Sequence, residues 1–228
     1  MQKTKISFQL LSIILMATIS LFNLALAQTV TTDSLILQPG PEGKDSYICD
    51  CSPNTNSPNG GTTLLYQGQF KACYDRLLIE WDLSALPANA TIVKAEMKLY
   101  CYNLYGSKAA GKMTYYRITS FWNEDSVTYN SRPDTCHDVT VTANCWPTGG
   151  NWHSVDITPF VQGWHDGKFP NYGIYGHCIQ TNGTCVAGFH SSDHPTASQR
   201  PRLIIIFKTS TAIEPAPPQP QGFNLLKN

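Results

Sequence analysis

The feature that most constrains this chain is an alternation of apolar and polar side chains in short segments that end at Gly, Pro, Asn or Asp. Successive side chains of an extended strand point to opposite faces, so a period of two marks strands with one buried face. The clearest case is Thr91–Tyr102. There Ala95, Met97, Leu99 and Cys101 share the inward face, and Glu96, Lys98, Tyr100 and Tyr102 share the other. The same grammar predicts strands at Ser34–Gln38, Asp45–Cys49, Thr63–Gln67, Asp75–Asp82, Met113–Thr119, Val139–Thr142, His153–Asp156, Asn171–Ile179, Val186–Ser191 and Leu203–Lys208. Parallel strands would need helical crossovers of about a dozen residues, and the segments leave no room for them. The pattern therefore predicts an all-β, antiparallel β-sandwich or jelly roll. One short helix is expected to plug an end of it. Thr158 suits an N-cap, Pro159 the first helical position and Gly167 the stop, while Phe160, Val161 and Trp164 share a face.

Residues 1–27 stand apart from this pattern. Lys3 and Lys5, an apolar run from Ile6 to Leu26 and the closing Ala25-Leu26-Ala27 match an export signal cleaved after Ala27. No later stretch reaches 18 consecutive apolar residues, so no membrane span is expected after processing. At the other end, the Pro-rich run from Glu214 to Gln221 suits an extended spacer. The expected organisation is a signal peptide at 1–27, a β-sandwich at 28–210 and a spacer or tail at 211–228.

Export changes the meaning of the eight cysteines. An even number of them in a secreted chain reads as a disulfide framework. Cys178 and Cys185 flank a turn-like Gln180–Gly183, and Cys136 lies near Cys145, so both pairs suit local staples. Cys49, Cys51, Cys73 and Cys101 would then pair among themselves, although eight cysteines permit 105 connectivities. No CxxC pair supports a zinc site.

Sixteen basic side chains balance sixteen acidic ones, and that zero net charge argues against nucleic acid as a partner. No nucleophile-elbow, metalloprotease or phosphate-loop motif is present, so no enzyme is expected. Glu124 and Asp125 adjoin in sequence and would point apart on a strand, which denies them a shared acid pair. An ion pair with Arg132 or Arg200 suits Glu124 better. His190, Asp193 and His194 lack a third metal ligand and read as solvated. For calcium, Asp45 and Asp50 offer carboxylate oxygens for a structural ion.

Sugar rings pack their C–H faces on aromatic side chains, which directs attention to outward aromatics. If the two strands share a sheet, Tyr100, Tyr102, Tyr115 and Arg117 would form one polar-aromatic platform. Tyr is also simply common in strands, where it covers sheet faces. Trp81, Trp122, Trp152 and Trp164 read as core. Trp146, in a Gly- and Pro-containing loop next to Cys145, is a candidate binding anchor.

Five blocks taken in order resemble the DNRLRE, or disaggregatase-related, domain family. The runs Leu35–Asp45 and Asp75–Pro87 resemble its opening, and Ile92–Tyr100 resembles its alternating strand. Ile118–Pro133 is similar to its W-x-E-x-x-V-T-W-N-x-x-P stretch, with Tyr129 in place of the second Trp. Val155–Trp164 with Asn171–Gly173, and Phe189–Asp193 with Arg200–Leu203, match the later blocks. The chain departs from that pattern in its eight cysteines. The resemblance implies a jelly-roll sandwich similar to carbohydrate-binding module family ninety-six, non-catalytic, with a polysaccharide or cell-surface glycan as partner. A different reading is a fibre subunit. Gln28–Leu37 alternates Val30, Leu35 and Leu37 with polar residues and could add to another copy's sheet edge.

Overall fold

The computed structural model describes residues 28–56, 62–106, 111–143, 147–180 and 184–212. Its strands are β1 (Gln28–Leu37), β2 (Lys44–Cys49), β3 (Leu64–Phe70), β4 (Cys73–Glu80), β5 (Thr91–Gly106) and β6 (Gly111–Ile118). They continue as β7 (Thr135–Thr142), β8 (Asn151–Asp156), β9 (Ile174–Gln180), β10 (Cys185–His190) and β11 (Arg202–Ala212), with one helix, α1 (Thr158–His165), after β8. Residues 32–209 form one unit. The described ends, 28–31 and 210–212, belong to a second, in which the Thr29 hydroxyl donates to the Thr211 carbonyl at 3.5 Å.

Every pairing with a resolved register is antiparallel, in the order β1-β11-β5-β10-β3-β4-β9-β6-β7, with β2 added to β4 and β8 to β5. The fold is the expected antiparallel jelly-roll sandwich, built as one curled sheet. Strand β3 turns the corner: it pairs with β10 along Leu64–Gln69 and with β4 only at Gly68–Phe70.

The main core shows why β5 was legible. Ala95, Met97, Leu99 and Cys101 are fully buried, packed in one cluster with Leu77, Ile79, Phe160, Phe189, Leu203 and Ile205. Each large apolar side chain so placed is worth about 1.5–3 kcal/mol. A second cluster lies on the other face of β4. Leu78 there joins Ile48, Tyr116, Ile118, Trp122, Val127 and Tyr175. Leu77, Leu78 and Ile79 are therefore buried on both faces, as the continuous apolar run of β4 requires. The connection between β6 and β7 supplies Trp122 and Val127 to this layer, and the Trp122 indole N–H donates to the Tyr172 carbonyl at 2.9 Å.

In α1 Phe160, Val161, Gly163 and Trp164 are buried and His165 lies in the last turn. Thr158 does not cap the helix. Its hydroxyl donates to Asp156 Oδ1 at 2.6 Å and accepts the Ala95 N–H at 2.8 Å, which ties the helix start to β5. Gly167, at φ 65°, supplies the left-handed stop.

Among the described residues one disulfide forms, Cys51–Cys73, with Cα atoms 5.4 Å apart. The expected Cys178–Cys185 staple does not. Strand β9 pairs with β4 and β6 while β10 pairs with β3 and β5, so the two cysteines do not sit on partner strands of a hairpin. Cys178 remains a buried thiol, pushed up to about 12 by burial and then by Cys185. Cys49 and Cys136 are thiols as well, and Cys145 lies outside the described residues.

Candidate functional site

Tyrosines from three strands meet on one outer face. Tyr66 of β3 alternates with Leu65 of the main core and buried Gln67, and Tyr47 of β2 alternates with Ile48 of the second cluster; both rings are half-buried. Their centroids lie 5.1 Å apart, edge to face at 77°. Tyr66 meets Tyr102 of β5 in the same manner at 6.4 Å, although β10 runs between β3 and β5. Gly188 of β10 makes that meeting possible. It is paired with Tyr66 on one side and Asn103 on the other, and a Cβ there would come within 2.4 Å of the Tyr102 ring.

The hydroxyls form a line. Tyr66 and Tyr102 share a hydrogen bond of 2.7 Å, and Tyr102 and Tyr105 share one of 3.3 Å. Burial, then the bonds to Tyr105 and Tyr66, pushes the Tyr102 phenol well above its usual range, so it stays a neutral donor and acceptor.

Beside these rings runs a groove of about 460 Å³, a size typical of small-ligand sites. Its apolar walls are Tyr47, Tyr66, Phe70, Tyr105 and Val186, and its polar lining is Ser52, Asp75 and the Cys49 thiol. Phe70 is 50% exposed, with the Lys71 Nζ 5.5 Å from its ring centroid, and Tyr105 is 41% exposed. The Cys51–Cys73 disulfide forms part of the lining and ties the turn after β2 to the start of β4. Asp50 fixes the same turn, accepting the Tyr74 N–H at 2.8 Å and two Arg76 N–H groups at 3.1 Å. Burial pushes the Asp75 carboxyl up, the Cys49 thiol opposes by hydrogen bonding to it, and Asp50 adds to the rise.

The expected platform is divided. Tyr100 and Tyr102 are half-buried on the outer face of β5, where Tyr100 stacks on His190 at 5.2 Å and meets Trp152 edge-on at 5.5 Å. Tyr115 and Arg117 are elsewhere. Their strand, β6, pairs with β9 and β7 rather than with β5. Tyr115 is fully buried in the main core, and burial pushes its phenol above its usual value. Arg117 is buried too, donating to Asp138 at 2.8 Å with its guanidinium 4.2 Å from the Phe169 ring centroid. Trp146 lies outside the described residues. Of the tryptophans read as core, Trp81, Trp122 and Trp164 are buried, whereas Trp152 is half-buried with the Arg202 guanidinium 4.1 Å above it.

Asp45 and Asp50 do not share a site. Asp45 lies within β2 and Asp50 in the turn after it, and the two have separate partners. Asp45 is buried, accepts the Ser192 N–H at 2.8 Å, and is pushed up to about 8 by burial, with Glu124 and Asp193 adding to it. Glu124 accepts the Asp45 N–H at 3.1 Å rather than pairing with an arginine, and burial pushes it to about 7. Arg132 and Arg200 instead donate to the Tyr129 and His194 carbonyls. Among the described residues no group of three or more His, Cys, Asp or Glu side chains is arranged to hold a metal ion. His190 is not solvated: it is buried, stacked between Tyr102 and His194 with centroids 5.7 and 3.5 Å away.

Tyr47, Tyr66, Phe70, Tyr105 and Asp75 were missed at the level of sequence. The available signal was parity, since Tyr66 alternates with main-core Leu65 as Tyr100 and Tyr102 do with Leu99 and Cys101, and Tyr47 alternates with Ile48 of the second cluster. Comparison with known protein families matches residues 40–207 to carbohydrate-binding module family 96. Comparison with curated proteins finds no match.

Proposed function

The chain belongs to carbohydrate-binding module family 96, and from that premise we propose that it is an exported, non-catalytic module that holds a polysaccharide or cell-surface glycan in the tyrosine-walled groove. The observation that carries this reading is the coincidence of exposed Phe70 and Tyr105 with Tyr47, Tyr66, Ser52 and Asp75 around one groove. Aromatic faces accept the C–H face of a pyranose. Tyrosine hydroxyls and a carboxylate accept or donate to its ring of hydroxyls. The groove is fixed before any sugar arrives, by a disulfide, by the Asp50–Arg76 contacts and by the stacked Tyr102, which lowers the ordering cost of binding. A disulfide also fits an oxidising, extracellular compartment. Affinity gel electrophoresis of the mature chain through a panel of soluble polysaccharides tests the reading. Retardation by at least one polymer is expected, and migration unchanged in every gel contradicts it.

A second reading, a fibre subunit joined by strand addition, is favoured by one observation. Strand β1 stands at an end of the strand order, and its Val30 and Ile36 are 61% and 58% exposed. Size-exclusion chromatography of the mature chain and of a chain lacking residues 28–33 separates the two. Assembly that vanishes with the deletion supports the fibre, and a monomer in both forms contradicts it.

A further inference from the structure

We infer that the groove is also a site of thiol–disulfide exchange, in which the Cys49 thiol attacks the Cys51–Cys73 bridge at Cys51. Three sulfurs and one carboxyl line the same groove, from Cys49, Cys51, Cys73 and Asp75. Register and turn place them. Cys49 ends β2 opposite Asp75 of β4, and Cys73 begins β4. After Cys49 the chain turns tightly, with the Ser52 N–H donating to the Cys49 carbonyl at 3.2 Å. The Cys49 sulfur accepts the Cys51 and Ser52 N–H groups of that turn, and its own S–H donates to Asp75. Backbone N–H groups aimed at a sulfur favour its anionic, attacking form. The new bond is within reach as well. A disulfide needs Cα atoms within about 7 Å, and two residues of even a fully extended chain span only about 7 Å. Cys51 is exposed and Cys73 half-buried, so the sulfur under attack is not enclosed.

Exchange proceeds by attack of a thiolate on a disulfide sulfur. The Cys49 proton passes to the Asp75 carboxylate, the Cys49 Sγ–Cys51 Sγ bond forms, and the Cys51 Sγ–Cys73 Sγ bond breaks. Cys73 leaves as the thiolate and takes the proton from Asp75, which follows it on the same strand. One thiol and one disulfide stand on each side, so no oxidant is consumed. Burial pushes the Cys49 thiol up, the Cys51 N–H opposes it, and Asp75 adds to the rise. The thiolate is therefore scarce at neutral pH, and exchange quickens in alkali. Its product unties the turn after β2 from β4, because the bond no longer spans the separation of 22.

The test is a bond map, and its outcome does not depend on sugar binding. The mature chain is held at pH 8.5 without added thiol, quenched in acid, alkylated with N-ethylmaleimide and digested with trypsin without reduction. Cleavage after Lys44, Lys71 and Arg76 puts Cys49 and Cys51 in one peptide and Cys73 in another. Expected is a population, at least one chain in a hundred and growing with time, in which the Cys73 peptide is alkylated and peptide 45–71 holds an internal disulfide. A folded Cys49→Ser variant, checked for an unchanged melting temperature, shows none of it. Cys73 linked to Cys51 in every chain, with Cys49 always alkylated, overturns the inference. Cys73 alkylated to the same extent in Cys49→Ser overturns it too, since another thiol is then the attacker.

Discussion

Tyr105 and Tyr115 are the same residue type in opposite surroundings, and their substitution is expected to separate binding from stability. Tyr115 is fully buried in the core, so Tyr115→Ala is expected to cost about 3–5 kcal/mol of stability, read by denaturant unfolding. Tyr105 projects into the groove with 41% of its surface exposed, so Tyr105→Ala is expected to leave the unfolding midpoint nearly unchanged and to weaken polysaccharide binding about threefold to tenfold. Asp45 adds a pH dependence. Its folded carboxyl is pushed up to about 8 from an ordinary 3.8, so between those values the folded state keeps a proton that the unfolded chain has released. Its contribution to stability is complete below 3.8 and is lost as pH rises towards 8. Asp45→Asn keeps an acceptor for the Ser192 N–H and removes that loss. The variant is expected to gain on the native protein in melting temperature as pH rises from 4 to 8; a difference independent of pH contradicts the assignment.

At the scale of elements, β10 and the turn after β2 hold the groove together. Gly188→Ala brings a methyl within 2.4 Å of the Tyr102 ring, which His190 prevents from simply turning away. It is expected to cost about 1–3 kcal/mol and to lower affinity through loss of the Tyr66–Tyr102 hydrogen bond. The Cys51–Cys73 disulfide closes a loop with a sequence separation of 22. Removing it by Cys51→Ser is expected to cost about 3 kcal/mol and to weaken binding further than the loss of stability explains. Elements also explain what the sequence could reveal. Strand β5 was readable because one face is core and the other is outward. Strand β6 was read as a strand, but its faces were not, because its outer face is roofed by Trp122 and Val127 and alternation then carries no sign of inside or outside. Thr158 looked like a cap, yet its hydroxyl is committed to Asp156 and β5, a partnership 63 residues away in the chain.

For the whole molecule, alternation and turn residues were enough to fix the sandwich, since each strand needs only its local pattern to declare a buried face. The groove was not accessible that way. It is assembled from β2, β3, β5 and β10 by long-range register, by one disulfide among the many that eight cysteines permit, and by a glycine that lets two rings meet across a strand. The platform expected from Tyr100, Tyr102, Tyr115 and Arg117 failed for the same reason: sequence neighbours β5 and β6 are not sheet neighbours. The proposed binding surface is the place where aromatic rings stand exposed beside Asp75. Calorimetric titration of the most strongly retarding polysaccharide into the native protein and into the double variant Phe70→Ala, Tyr105→Ala tests that most directly. A loss of affinity of at least tenfold, about 1.4 kcal/mol, is expected at an unchanged melting temperature; equal affinity in a folded double variant would place the binding surface elsewhere.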